Sequence, residues 1–112
     1  MNAGLEALVT EARVRWDAER STGREKINLC LDTSSLARGG ADTLARLEAV
    51  VAAKGLDVDI TTTGSWGFCW LEPTVSVRSA GGTRTVLYHS LTPDRVDEFI
   101  EVTVVQGRDF PD

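Results

Sequence analysis

Two cysteines, Cys30 and Cys69, have the widest chemistry open to them in this sequence. A thiol can be a nucleophile, a redox partner or a soft metal ligand. Each one sits where strand-like sequence meets a loop, which is where functional groups are usually mounted. The first loop reads Cys30-Leu-Asp-Thr-Ser-Ser35-Leu-Ala-Arg-Gly39, and the second reads Thr63-Gly-Ser65-Trp-Gly-Phe-Cys69-Trp-Leu-Glu-Pro73. The plain alternative is that both cysteines are small apolar side chains buried in a core. No basic residue adjoins either one, so nothing local favours a thiolate. Ser35 and Ser65 are equally ordinary as loop residues, because small polar side chains suit turns. No Cys-x-x-Cys pair is present, so the usual dithiol redox motif is missing. His89 is the sole histidine, and no triad or zinc-ligand spacing surrounds it. Gly39-Gly40 precedes a helix but lacks the rest of a phosphate-binding or dinucleotide fingerprint.

These loops need elements to hold them. Leu5, Leu8, Val9, Ala12 and Trp16 recur at the spacing of one helix face, and Ser21, Thr22 and Gly23 end that helix. Lys26–Leu31 (KINLCL) predicts a short strand, and Asp32–Gly40 predicts a polar, glycine-terminated loop. Ala41–Lys54 predicts an amphipathic helix with Leu44, Leu47, Val50 and Val51 inward and Gly55 as its stop. Leu56–Thr62 alternates as a strand. Thr74–Arg78 and Thr83–Tyr88 flank Gly81-Gly82 as a hairpin. Thr92-Pro93-Asp94 opens a last helix, with Val96, Phe99, Ile100 and Thr103 inward and Gly107 at its end. The order α-β-α-β-β-β-α implies an α/β fold with a four-stranded mixed sheet, helices packed on it and an extra N-terminal helix. The βαβ portion favours a parallel pair and the hairpin an antiparallel one.

From about Lys26 to Gly107 the sequence resembles the thioredoxin-like 2Fe-2S ferredoxin domain. That domain occurs in subunits of NADH dehydrogenases, NAD-reducing hydrogenases and NAD-dependent formate dehydrogenases. The matching residues are Cys30, then Ser35 after four residues, then Gly39. They continue with Gly64-Ser65-Trp66-Gly67-Phe68-Cys69, Pro73, Tyr88, Thr92-Pro93-Asp94 and Gly107. The resemblance implies that Cys30, Ser35, Ser65 and Cys69 occupy the four cluster-ligand positions, with serine at two of them. Two irons and two sulfides take four thiolates, two per iron. The halved set therefore implies a weakened or absent 2Fe-2S cluster. It also implies that Cys30 and Cys69 lie near each other, and that Pro73 stands where thioredoxin-like folds carry a proline, often cis.

The totals set the limits. The chain has 112 residues and 42% hydrophobic content, which predicts a single domain: residues 1–22 an N-terminal helix, 26–107 the core, and 108–112 a tail or linker. The net charge is −5, and six acids against two arginines from Leu91 onward supply most of it. That excludes a basic nucleic-acid footprint; an acidic helix suits either solvation or a basic partner. No apolar run reaches the ~20 residues of a membrane span, no export signal opens the chain, and two cysteines fit a reducing, cytoplasmic setting. Trp66, Phe68 and Trp70 read as a lid over the core or as a partner surface. The expected function is a structural, subunit-docking module of an NAD-linked redox complex, with flavin-bearing or iron–sulfur subunits as partners and a homodimer also open. The alternatives are a 2Fe-2S carrier with Cys/Ser ligation, or a Cys30–Cys69 thiol/disulfide switch. No independent catalytic constellation is present.

Overall fold

The computed structural model describes residues 2–20 and 23–111. Its centre is β1 (Glu25–Cys30), a strand flanked on both sides by others. The sheet order is β2 (Val58–Thr63), β1, β3 (Val75–Arg78), β4 (Thr85–Tyr88). β1 and β2 run parallel with Ile27 opposite Ile60, and β1 and β3 run antiparallel with Ile27 opposite Val77. β3 and β4 close the sheet as an antiparallel pair. β1 therefore reads as nearly continuous burial at its end, with Ile27, Leu29 and Cys30 all inaccessible, as a central strand should.

α3 (Gly40–Lys54) and the closing helical segment cover the sheet. Leu47 and Val50 of α3 are buried, with Leu44 and Val51 packed beside them. The closing segment begins as a tight turn at Pro93–Arg95, continues as α4 (Val96–Ile100), and widens into a π-helical stretch at Glu101–Val105. Thr92 holds the N-cap position there but makes no side-chain cap bond. The anticipated stripe is all buried: Val96, Phe99, Ile100 and Thr103. Thr43 Oγ1 donates to the buried carbonyl of Leu91 at 2.8 Å, tying α3 to the segment after β4. The fold is thus the expected thioredoxin-like mixed sheet with flanking helices.

One local reading changes, and two features go beyond what the sequence foretells. Asp32–Gly40 is not all loop, because it contains α2 (Thr33–Ala37), started by Asp32, whose Oδ1 accepts the Ser35 N–H at 3.0 Å. α1 (Ala3–Arg20) forms as expected, yet every described side chain from Asn2 to Glu19 is exposed, so its apolar face does not enter the core. The stop at Ser21 and Thr22 lies outside the described residues. Residues 109 and 110 make contacts with the core: Arg84 pairs with Asp109 at 2.9 Å, and the Phe110 ring meets Phe99 edge-on at 5.5 Å.

Candidate functional site

The carboxyl end of β1 and the turn before β3 meet at one place. β1 delivers Cys30, the start of α2 delivers Asp32 and Ser35, and the loop after β2 delivers Ser65. The residue before Pro73 delivers Glu72, and the Glu72–Pro73 peptide is cis. Glu72 is only 1% exposed. Its Oε1 accepts from two groups: the Cys30 thiol at 3.5 Å and the Ser65 hydroxyl at 2.7 Å. Ser65 Oγ in turn accepts the Gly67 N–H at 2.9 Å, which orients its proton toward Glu72. Among the described residues, buried Glu72 Oε2 has no hydrogen-bond partner, nor has Thr74 Oγ1 across the proline.

Ser35 has a different task. It is fully buried, and its hydroxyl donates to the Cys30 carbonyl at 2.8 Å. It also packs against Gly40 so closely that a Cβ there would stand 2.2 Å from Ser35 Oγ. Arg38 donates to the carbonyls of Trp70 at 2.6 Å and of Glu72 at 3.4 Å, fastening the end of α2 to the turn Cys69–Leu71.

The electrostatics follow from this crowding. Burial pushes the Cys30 thiol above its ordinary pKa, and the neighbouring carboxyl groups of Glu72 and Asp32 add to the shift. The backbone N–H of Ser35 holds Asp32 below the usual carboxylate range, against a smaller opposing effect of burial. Donor atoms of Cys30, Asp32 and Glu72 all lie within 4.8 Å of one another. Among the described residues no Lys, Arg or His forms an ion pair with Asp32 or Glu72.

Cys69 stands apart. It opens the exposed turn Cys69–Leu71, its thiol is free, and it is not in the group around Glu72. Around it, Trp66 is 48% exposed and Trp70 65%, and Phe68 meets Trp70 edge-on at 6.0 Å. The three rings are therefore not a lid packed into the core.

No family model matches the chain. The NADP-reducing hydrogenase subunit HndB of Solidesulfovibrio fructosivorans is 29% identical over 86 residues, covering 76% of this chain and 68% of that protein. The thioredoxin-like 2Fe-2S ferredoxin of Aquifex aeolicus superimposes with a TM-score of 0.65 at 20% identity, over 77% of this chain and 84% of that one. A cysteine-to-serine variant of the Aquifex aeolicus ferredoxin gives a TM-score of 0.58 at 24% identity, over 74% and 88%. This chain has the thioredoxin-like ferredoxin fold.

Within the ferredoxin fold, the four expected positions divide. Cys30 and Ser35 are joined through the Cys30 carbonyl, and Cys30 and Ser65 meet on one carboxyl oxygen. Cys69 is outside that group. The donors gathered here are one thiol, two carboxyls and a hydroxyl, in a chain with two cysteines in all. A two-iron cluster takes four soft thiolates, and this donor set does not match it. Asp32 and Glu72 were missed at the sequence level. The usable signals were an Asp directly before a short Ser-rich helix, and a lone acid in the apolar run Phe68-Cys-Trp-Leu-Glu-Pro-Thr-Val75.

Proposed function

We propose that this chain is a ferredoxin-type module of an NAD- or NADP-linked redox complex whose role is to dock against other subunits rather than to carry electrons. The observation behind this is the state of the four ligand positions. Two are serines whose hydroxyls are already used inside the protein, by the Cys30 carbonyl and by Glu72. One of the two cysteines is buried against a carboxyl, and the other is exposed. The relative named as a hydrogenase subunit supports assembly in a complex. Partners would be flavin-bearing or iron–sulfur subunits.

The docking face would be the exposed turn with Trp66, Phe68 and Trp70; large aromatic side chains dominate binding energy at interfaces. No described helix is long and apolar enough to cross a membrane. The test is affinity purification from the native host, with the tagged wild type beside a Trp66→Ala/Trp70→Ala variant. The expected result is enrichment of a flavin- or iron–sulfur-bearing NAD(P)-linked subunit by the wild type and its loss with the variant. Equal enrichment by both, or none by either, overturns the reading.

A further inference from the structure

Glu72 is 1% exposed, and its Oε2 has no hydrogen-bond partner among the described residues. Buried polar atoms are normally satisfied, so an orphaned one calls for an explanation. Donor atoms of Cys30, Asp32 and Glu72 converge within 4.8 Å of one another at this point. A cation held among them would draw on the carboxyl group that the protein leaves half-used.

The spacing agrees. Zinc binds sulfur at about 2.3 Å and carboxylate oxygen at about 2.0 Å, so tetrahedral geometry holds the two donors about 3.5 Å apart. Cys30 Sγ and Glu72 Oε1 are 3.5 Å apart. The Ser35 N–H holds Asp32 Oδ1 at 3.0 Å, which fixes that carboxylate at the rim of the group. Asp32 is only half-buried and Ser65 is exposed, so an ion has a way in from the loop side.

We propose that Cys30, Asp32 and Glu72 form a mononuclear site for a divalent cation of the zinc class, with the Ser65 hydroxyl or water completing a tetrahedral shell. On binding, the Cys30 S–H bond breaks and its proton leaves to solvent. The sulfur then bonds the metal, and the S–H···O contact to Glu72 becomes a sulfur–metal–oxygen bridge. No electron moves. A thiolate beside two carboxylates selects zinc-like ions over calcium or magnesium, which take oxygen alone. The site does not rest on the docking reading, because none of its ligands belongs to the aromatic face.

Cobalt(II) titration of the purified apoprotein tests this, with zinc as the competitor. The expected result is one equivalent of Co2+ bound, with a thiolate-to-cobalt charge-transfer band and the visible bands of a tetrahedral ion, all erased by one equivalent of Zn2+. Cys30→Ser removes the charge-transfer band. Glu72→Gln and Asp32→Asn each weaken binding by about tenfold or more, as loss of a ligand or its support does. Cys69→Ser leaves the spectrum unchanged. If Cys30→Ser fails to fold, the half-exposed Asp32→Asn and Cys69→Ser variants still decide the matter. A wild-type protein without a charge-transfer band at millimolar Co2+ overturns the site. So does a band that survives Cys30→Ser, a band lost in Cys69→Ser, or affinity indifferent to both carboxyl variants.

Discussion

At the scale of single residues, two serines that look alike in sequence do unlike things. Ser35 is a packing residue. It is buried between the Cys30 carbonyl and Gly40, and a Gly40→Ala methyl would also stand 2.9 Å from the Ser35 carbonyl oxygen. Gly40→Ala should therefore destabilise the protein by roughly 1–3 kcal/mol, as overpacking does. Adding Ser35→Ala should recover part of that loss by relieving the closer contact. Urea unfolding followed by circular dichroism reads both effects; an unchanged midpoint in Gly40→Ala would mean that Ser35 is not packed there. Ser65, by contrast, faces the loop side and serves Glu72. The sequence placed Ser65 correctly in a loop after a strand, whereas Ser35, expected in a loop as well, falls inside α2. It could not reveal Glu72, because a buried acid betrays itself only through the neighbours that surround it, and those come from three separate segments.

At the scale of elements, the strands and the two core helices were legible because their apolar periodicities are strong. α2 was not legible. Five residues carry too few apolar positions for a period, and the helix depends on Asp32 capping the Ser35 N–H. The fate of the α1 face was equally hidden, since periodicity predicts a helix but not what covers it. The contact between α3 and the last helix is held in the interior by Thr43 and at the surface by charge. Thr43→Val leaves the buried Leu91 carbonyl without its donor and should cost about 1–3 kcal/mol, read as a lowered urea midpoint. At the surface, the Arg46 hydrogen bond holds Asp97 below its ordinary pKa, and the Lys54 hydrogen bond does the same for Glu101. A carboxyl with a depressed folded-state pKa stabilises fully above its unfolded pKa and loses that effect as pH falls through the folded value. The stability of the wild type should therefore decline from about pH 4 downward. An Asp97→Asn/Glu101→Gln variant should show a shallower decline. Because these pairs are exposed, added salt should narrow the difference. Parallel acid curves for the two proteins would contradict this.

At the scale of the whole molecule, the exposed apolar surface is distributed in a way that folding alone does not require. α1 exposes Leu5, Leu8, Val14 and Trp16, and the turn beside the candidate site exposes Trp66, Phe68 and Trp70. Surface changes away from packed features usually shift stability by less than about 0.5 kcal/mol. Trp66→Ala/Trp70→Ala should therefore leave the thermal midpoint nearly unchanged while abolishing subunit binding, and a large drop in the midpoint would mean that the rings support the core instead. The charge surplus of the closing segment is compatible with a basic patch on a partner, and Arg46 and Lys54 already occupy two of its acids.

We propose that a ferredoxin fold persists here without a ferredoxin's cluster. Anaerobic reconstitution with iron and sulfide, followed by a visible spectrum and metal analysis, decides this. The expected product is a folded, colourless protein with no bound sulfide. A stable brown protein holding iron and sulfide at about two each, the content of one two-iron cluster, would contradict it.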